Sequence, residues 1–68
     1  MGISYNKLWN LMRNNKMKKK DLKEGACLSQ FIISKLSNNE TVDLKYLMNI
    51  CKVFHCNIGD LVDYIEDV

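Results

Sequence analysis

Lys19-Lys20-Asp21-Leu22-Lys23-Glu24-Gly25-Ala26-Cys27-Leu28-Ser29-Gln30-Phe31-Ile32-Ile33-Ser34-Lys35-Leu36 is the most informative run of this 68-residue chain. A short helix over Lys19 to Gly25 turns Leu22 inward, and Gly25-Ala26-Cys27 stops it. Ala26-Cys27-Leu28 makes a tight turn. Ser29 is a good N-cap, because its hydroxyl can accept from a free amide two or three residues on. A second helix then runs to about Ser37. Ile33 and Leu36, at i and i+3, anchor it, and Leu28 precedes the cap. Phe31 and Ile32 lie on the other side of that stripe and are expected to be exposed or half-exposed. Two helices crossing steeply over a turn of three or four residues form the helix-turn-helix arrangement.

The flanking segments read as helices too. Upstream, Tyr5 to about Asn14 has Ser4 as N-cap. Leu8, Leu11 and Met12 make its buried stripe, and Asn14-Asn15 stops it. Asn38-Asn39 ends the third helix. A fourth starts with Asp43 as N-cap and runs to about Phe54, with Leu44, Leu47, Met48, Cys51 and Phe54 inward. A fifth follows Asn57, with Ile58, Leu61, Val62 and Ile65 at i, i+3, i+4, i+7. Proline is absent, no run alternates long enough for a strand, and no repeat or boundary interrupts residues 1–68. The expectation is one all-α domain of five short helices.

Apolar residues make up 47% and charged residues 26%, a globular balance. Strictly apolar runs such as Phe31-Ile32-Ile33 are far below the roughly 18 residues of a spanning helix. The first residues, Met1-Gly2-Ile3-Ser4-Tyr5-Asn6, have no apolar signal region. Asn6 stands where a myristoylation site needs Ser or Thr. A cytoplasmic protein is expected, its three cysteines reduced and buried. The Asn39-Glu40-Thr41 sequon carries no meaning there. The net charge of +2 hides an asymmetry. Residues 1–40 carry eight cations against three anions, while residues 41–68 carry two against five. A basic first half suits a polyanion partner.

At this point the chain resembles the Cro and lambda-repressor-like (XRE) helix-turn-helix family, in particular its small stand-alone bacterial members. The resemblance runs from Ile3 to Tyr64. It rests on Met17-Lys18-Lys19-Lys20-Asp21-Leu22, on Leu28-Ser29 through Lys35-Leu36, and on Ile50-Cys51 through Cys56-Asn57-Ile58-Gly59-Asp60. Leu22, Ala26, Leu28, Ile33 and Leu36 fit the family's apolar positions. Lys23 stands where the family usually has Ala, and Cys27 where it usually has Gly.

The resemblance implies that the third helix enters the major groove of double-stranded DNA. Its base-contact positions match Ser29, Gln30, Phe31, Ser34 and Lys35. Gln30 can bond an adenine edge, Lys35 can reach guanine, and Phe31 can pack on a thymine methyl. Phosphate-contact positions match Lys18, Lys19, Asn38 and Asn39. The second helix has Lys18 where a capping side chain is expected, and three lysines at a positive dipole end cost stability. A phosphate oxygen there would take the cap's place.

Blander readings stand beside these. Lys18 to Lys20 could be a plain solvated face, although the motif that follows favours nucleic acid. Phe31 and Ile32 could be core or a dimer contact. Trp9 and Tyr5 read as packing residues rather than a stacking platform. Cys51 and His55 share a helix face, but a zinc site needs four ligands and Cys27 is a poor fourth, so no metal is expected. Neither a Gly-rich phosphate loop nor a Ser-His-Asp set is present, so no catalysis is expected.

The expected function is a sequence-specific DNA-binding regulator of bacterial or phage type. It would act as a homodimer, and a repressor is expected, since occupying a promoter needs no effector domain. Val62, Tyr64, Ile65 and Val68 in the fifth helix and tail are the candidate dimer contacts, with the exposed end of the fourth helix as the alternative surface. No cofactor or small-molecule ligand is expected. The alternative is a protein-interaction module on the same scaffold, an antitoxin-like partner for example.

Overall fold

The computed structural model describes residues 2–66. In chain order they form β1 (Gly2–Ser4), α1 (Asn6–Asn14), α2 (Lys19–Gly25), α3 (Gln30–Ser37), α4 (Leu44–Phe54), a 3-10 turn (Ile58–Asp60) and β2 (Asp63–Ile65). Tyr5, Leu8, Leu22, Leu36, Ile50 and Leu61 are fully buried, so every layer from α1 to the segment after α4 contributes to one cluster. Burying a side chain of this size is worth about 1.5–3 kcal/mol.

The bounds of α2, α3 and α4 agree with the sequence reading, and Ser29 caps α3, its hydroxyl accepting from the Ile32 amide at 3.3 Å. The start of α1 differs. Ser4 belongs to β1 and Tyr5 is the N-cap residue. The Ser4 hydroxyl still accepts from the Asn6 amide at 3.3 Å. The Tyr5 amide donates to Asn39 Oδ1 at 3.4 Å, so the chain after α3 helps to close the start of α1.

The fold is mostly helical, as expected, but the described residues include a small sheet and no fifth α-helix. Four α-helices are present among the described residues, with a two-stranded antiparallel sheet. Gly2 pairs with Ile65, Ile3 with Tyr64 and Ser4 with Asp63. Two physical causes are visible. The Leu61 carbonyl, which a continued helix would give to Ile65, accepts instead from the Leu8 amide at 3.2 Å. That amide is one of the free donors at the start of α1. Tyr64 and Ile65 are also aromatic and β-branched, types that suit a pleated strand. Lys7 fixes the bend, donating to the Gly59 carbonyl and pairing with Asp63, each at 3.0 Å.

Two inward faces also differ from expectation. Ile32 is buried, not exposed, beside Val42 and Tyr46 in the cleft between α3 and α4. On α4, Leu44 and Met48 are exposed. The stripe that packs inward is Leu47, Ile50, Cys51 and Phe54, with Cys51 half-buried rather than fully buried. It has the same i, i+3, i+4, i+7 spacing, rotated around the helix.

All four helices end on a left-handed residue that is not glycine: Lys16, Cys27, Asn39 and His55, with φ of 54–56°. In each case the next amide reaches back to a carbonyl five residues earlier. Leu28 donates to Lys23 at 2.8 Å and Glu40 to Lys35 at 2.9 Å, the Schellman closure. After α1, which ends at Asn14 as expected, the left-handed residue is Lys16 rather than an asparagine of the Asn14-Asn15 pair.

Candidate nucleic-acid interface

The candidate interface comprises the start of α2, the exposed side of α3 and the chain that follows α3. Because Ile32, Ile33 and Leu36 all turn inward, α3 has one free face. Ser29, Gln30, Phe31 and Ser34 lie on it, with Phe31 68% exposed. Lys35 is half-buried along the Phe31 ring, its ammonium 5.2 Å from the ring centre. Such a contact holds both side chains in place without removing the charge from solvent. Gln30 borders a cleft between α2 and α3 with Lys20 and Lys23 alongside.

Lys18 is exposed and extended just before α2. Its backbone amide donates to Asp21 Oδ2 at 3.0 Å. Asp21 thus supplies the backward half of a capping box, which the sequence reading missed. A lysine side chain has no acceptor, so no side chain caps the helix's own first amides. Asp21 also places a carboxylate in a first turn crowded with lysines, which eases their clash with the helix dipole.

Lys19 is exposed but held. Its ammonium lies 5.1 Å from the centre of the Trp9 ring and donates to Ser37 Oγ at 2.9 Å. It therefore joins three elements, α1, α2 and α3. The sequence reading placed Lys19 at the interface but assigned no role to Ser37 and only packing to Trp9. No local spacing links these residues.

Asn38 and Asn39 are both exposed after α3. Asn39 is the left-handed residue of the turn, and its side-chain oxygen is engaged by Tyr5. The Tyr5 hydroxyl donates to the Glu40 carbonyl at 2.6 Å, and burial pushes its pKa above the ordinary tyrosine range. A buried tyrosine therefore pins the loop on which Asn38 and Asn39 sit.

The cysteines lie elsewhere. Cys27 is exposed in the turn, while Cys51 and Cys56 are half-buried. Burial pushes the Cys56 thiol up, and Cys51 beside it and Asp60 add to the effect. Among the described residues no three His, Cys, Asp or Glu side chains are grouped to hold a metal ion. No described helix is long and apolar enough to cross a membrane.

Comparison with known proteins agrees with this geometry. The family model of the Cro/C1-type HTH DNA-binding domain matches residues 7–67. The chain is similar to the crystal structure of transcriptional regulator VanUg, form II, with a TM-score of 0.92 and 38% identity. That likeness covers 97% of this chain and 88% of the other. No curated protein matches significantly. A basic start to α2, a tight turn and a free polar face on α3 coincide with a family match over nearly the whole chain, and the protein belongs to the Cro/C1-type helix-turn-helix DNA-binding family.

Proposed function

We propose that this DNA-binding regulator recognises a specific double-stranded sequence by inserting the first turns of α3 in the major groove. It does so as a homodimer and acts as a repressor. One observation carries the reading: α3 buries Ile32, Ile33 and Leu36 and leaves Gln30, Phe31 and Ser34 exposed on one face. A helix spent on core would not expose groups matched to base edges.

Gln30 bonds an adenine through its amide, and Phe31 covers a thymine methyl. Ser29 gives its oxygen to the Ile32 amide but keeps a hydroxyl proton to donate. Ser34 and Lys35 complete the base contacts. Lys18, Lys19 and Asn38 take phosphates, and so does the amide nitrogen of Asn39, whose oxygen faces Tyr5. Repression requires only that the bound protein occupy a promoter.

One recognition helix reads too few base pairs to find a site in a genome, which favours a dimer. Of the candidate contacts, Tyr64 and Ile65 are 65% and 46% exposed, so both are free to meet a second copy. Val62 is half-buried against the core, and Val68 lies outside the described residues.

Selection of bound fragments from random duplex DNA, followed by sedimentation with the selected duplex, tests the proposal. The expected site has two-fold symmetry with half-sites roughly 34 Å apart and two protomers bound. One protomer on an asymmetric site would remove the dimer, and no enriched sequence would remove specific readout.

A further inference from the structure

Lys19 is not a loose surface lysine. An ammonium has three donors and an exposed lysine normally samples many rotamers. Here one donor goes to Ser37 Oγ at 2.9 Å and one side of the charge rests on the Trp9 ring at 5.1 Å. Trp9 comes from α1 and Ser37 from the last residue of α3. Trp9, Met12, Arg13, Met17, Lys19 and Ser37 line one open concavity of about 520 Å³. Two apolar methionine walls, an indole and two cations converge there. Ser37 and the Trp9 ring hold the ammonium while leaving donors free toward solvent.

We propose that Trp9 and Ser37 are positioning residues that hold the Lys19 ammonium in its phosphate-binding pose. They thereby lock the backbone contact of α2 in register with the reading face of α3. The inference rests on the DNA-binding reading above and adds to it Trp9, from outside the helix-turn-helix, and Ser37, the residue that ends it. Ser37 closes the same helix that carries Gln30, so the phosphate contact and the base contact share a rigid element. A lysine already held in place loses less side-chain freedom when it meets a phosphate. Neither Trp9 nor Ser37 carries charge, so their loss leaves the number of counterions released on binding unchanged.

The test is a double-mutant cycle on duplex affinity. Ser37→Ala and Trp9→Leu are each expected to weaken binding about 2- to 5-fold, on selected and random duplex alike, with the salt slope retained. In the Lys19→Ala background neither is expected to weaken it further. Trp9→Phe, which keeps a ring, is expected to restore part of the loss. Trp9 packs against the core, so thermal melts accompany each variant. Ser37 is exposed, so Ser37→Ala carries the test if Trp9→Leu fails to fold. Trp9 is the single tryptophan, so its emission in the free protein is expected to change in Lys19→Met. Losses that multiply fully with Lys19→Ala, or unchanged emission, overturn the proposal while leaving DNA binding intact. Absence of any duplex binding by the unmodified protein overturns both readings.

Discussion

The α2–α3 pair and α4 both pack on the core, but they spend their outer faces differently. On α3 the free face carries Gln30, Ser34 and the Lys35–Phe31 pair. On α4 it carries Leu44 and Met48, 61% and 56% exposed. The start of α2 adds Lys18, Lys19 and Lys20, all exposed. The α3 face offers amide and hydroxyl groups that suit base edges, whereas α4 offers Leu44 and Met48 with only the scattered lysines Lys45 and Lys52 exposed beside them. Apolar content therefore does not separate the proposed reading helix from the helix that supports it. What separates them is which residues the core leaves over.

The widest gap between the two regions is expected in stability. Leu36 is fully buried at the centre of α3, and Leu36→Ala should cost about 2–5 kcal/mol. Leu44→Ala, the same chemical change on the outer face of α4, should stay within about 0.5 kcal/mol. Urea unfolding of the two variants measures both. Equal losses would mean that Leu44 is covered in solution and that α4 is no bare support.

How far the chain could be read from its residues follows the same division. The bounds of α2, α3 and α4 were legible because caps, stops and apolar spacing are local signals. The inward face of α4 was not. Leu44, Leu47, Met48, Ile50, Cys51 and Phe54 fit two overlapping stripes, and only the packing of neighbours selects Leu47 and Ile50. The segment after Asn57 was misread for a related reason. Ile58, Leu61, Val62 and Ile65 have helical spacing, but the partner that makes residues 63–65 a strand lies at Gly2–Ser4, the other end of the chain. Pairing across that distance leaves no mark in a local window. At the interface, the residue types and the motif pointed to Gln30 and Lys19. The Trp9–Lys19–Ser37 contact needed three helices in place before it existed.

Affinity provides the next separation. Gln30→Ala should cost about 1–3 kcal/mol on the preferred duplex and little on random DNA, because it removes a base-edge contact. Met48→Ala should change neither. Fluorescence anisotropy on both duplexes distinguishes a reader from a positioner: equal loss on the two would make Gln30 only a positioning residue. Lys18→Ala should instead weaken binding to every sequence alike and lower the salt slope by about one. A shift in preference at a single base pair would contradict a phosphate role for Lys18.

The smallest expected effect concerns the turns that end α2 and α4. Cys27 and His55 both sit at φ 54° and both are exposed. A side chain in this left-handed region crowds the following carbonyl, at a cost on the order of 1 kcal/mol, and glycine escapes it. Glycine also enlarges the freedom of the unfolded chain, which takes back part of the gain. Cys27→Gly should therefore stabilise by about 0.5 kcal/mol. His55→Gly should gain less, because histidine tolerates this region better than most residues. In Asn39→Gly any gain should be lost, since the side-chain oxygen that accepts from the Tyr5 amide goes with it. Denaturation midpoints of the three variants give the order directly. Duplex affinity should be unchanged in Cys27→Gly, because the Leu28 to Lys23 bond that closes the turn is made by backbone alone. If Cys27→Gly bound more weakly while folding more stably, the cysteine side chain itself would have a part in setting the angle between α2 and α3.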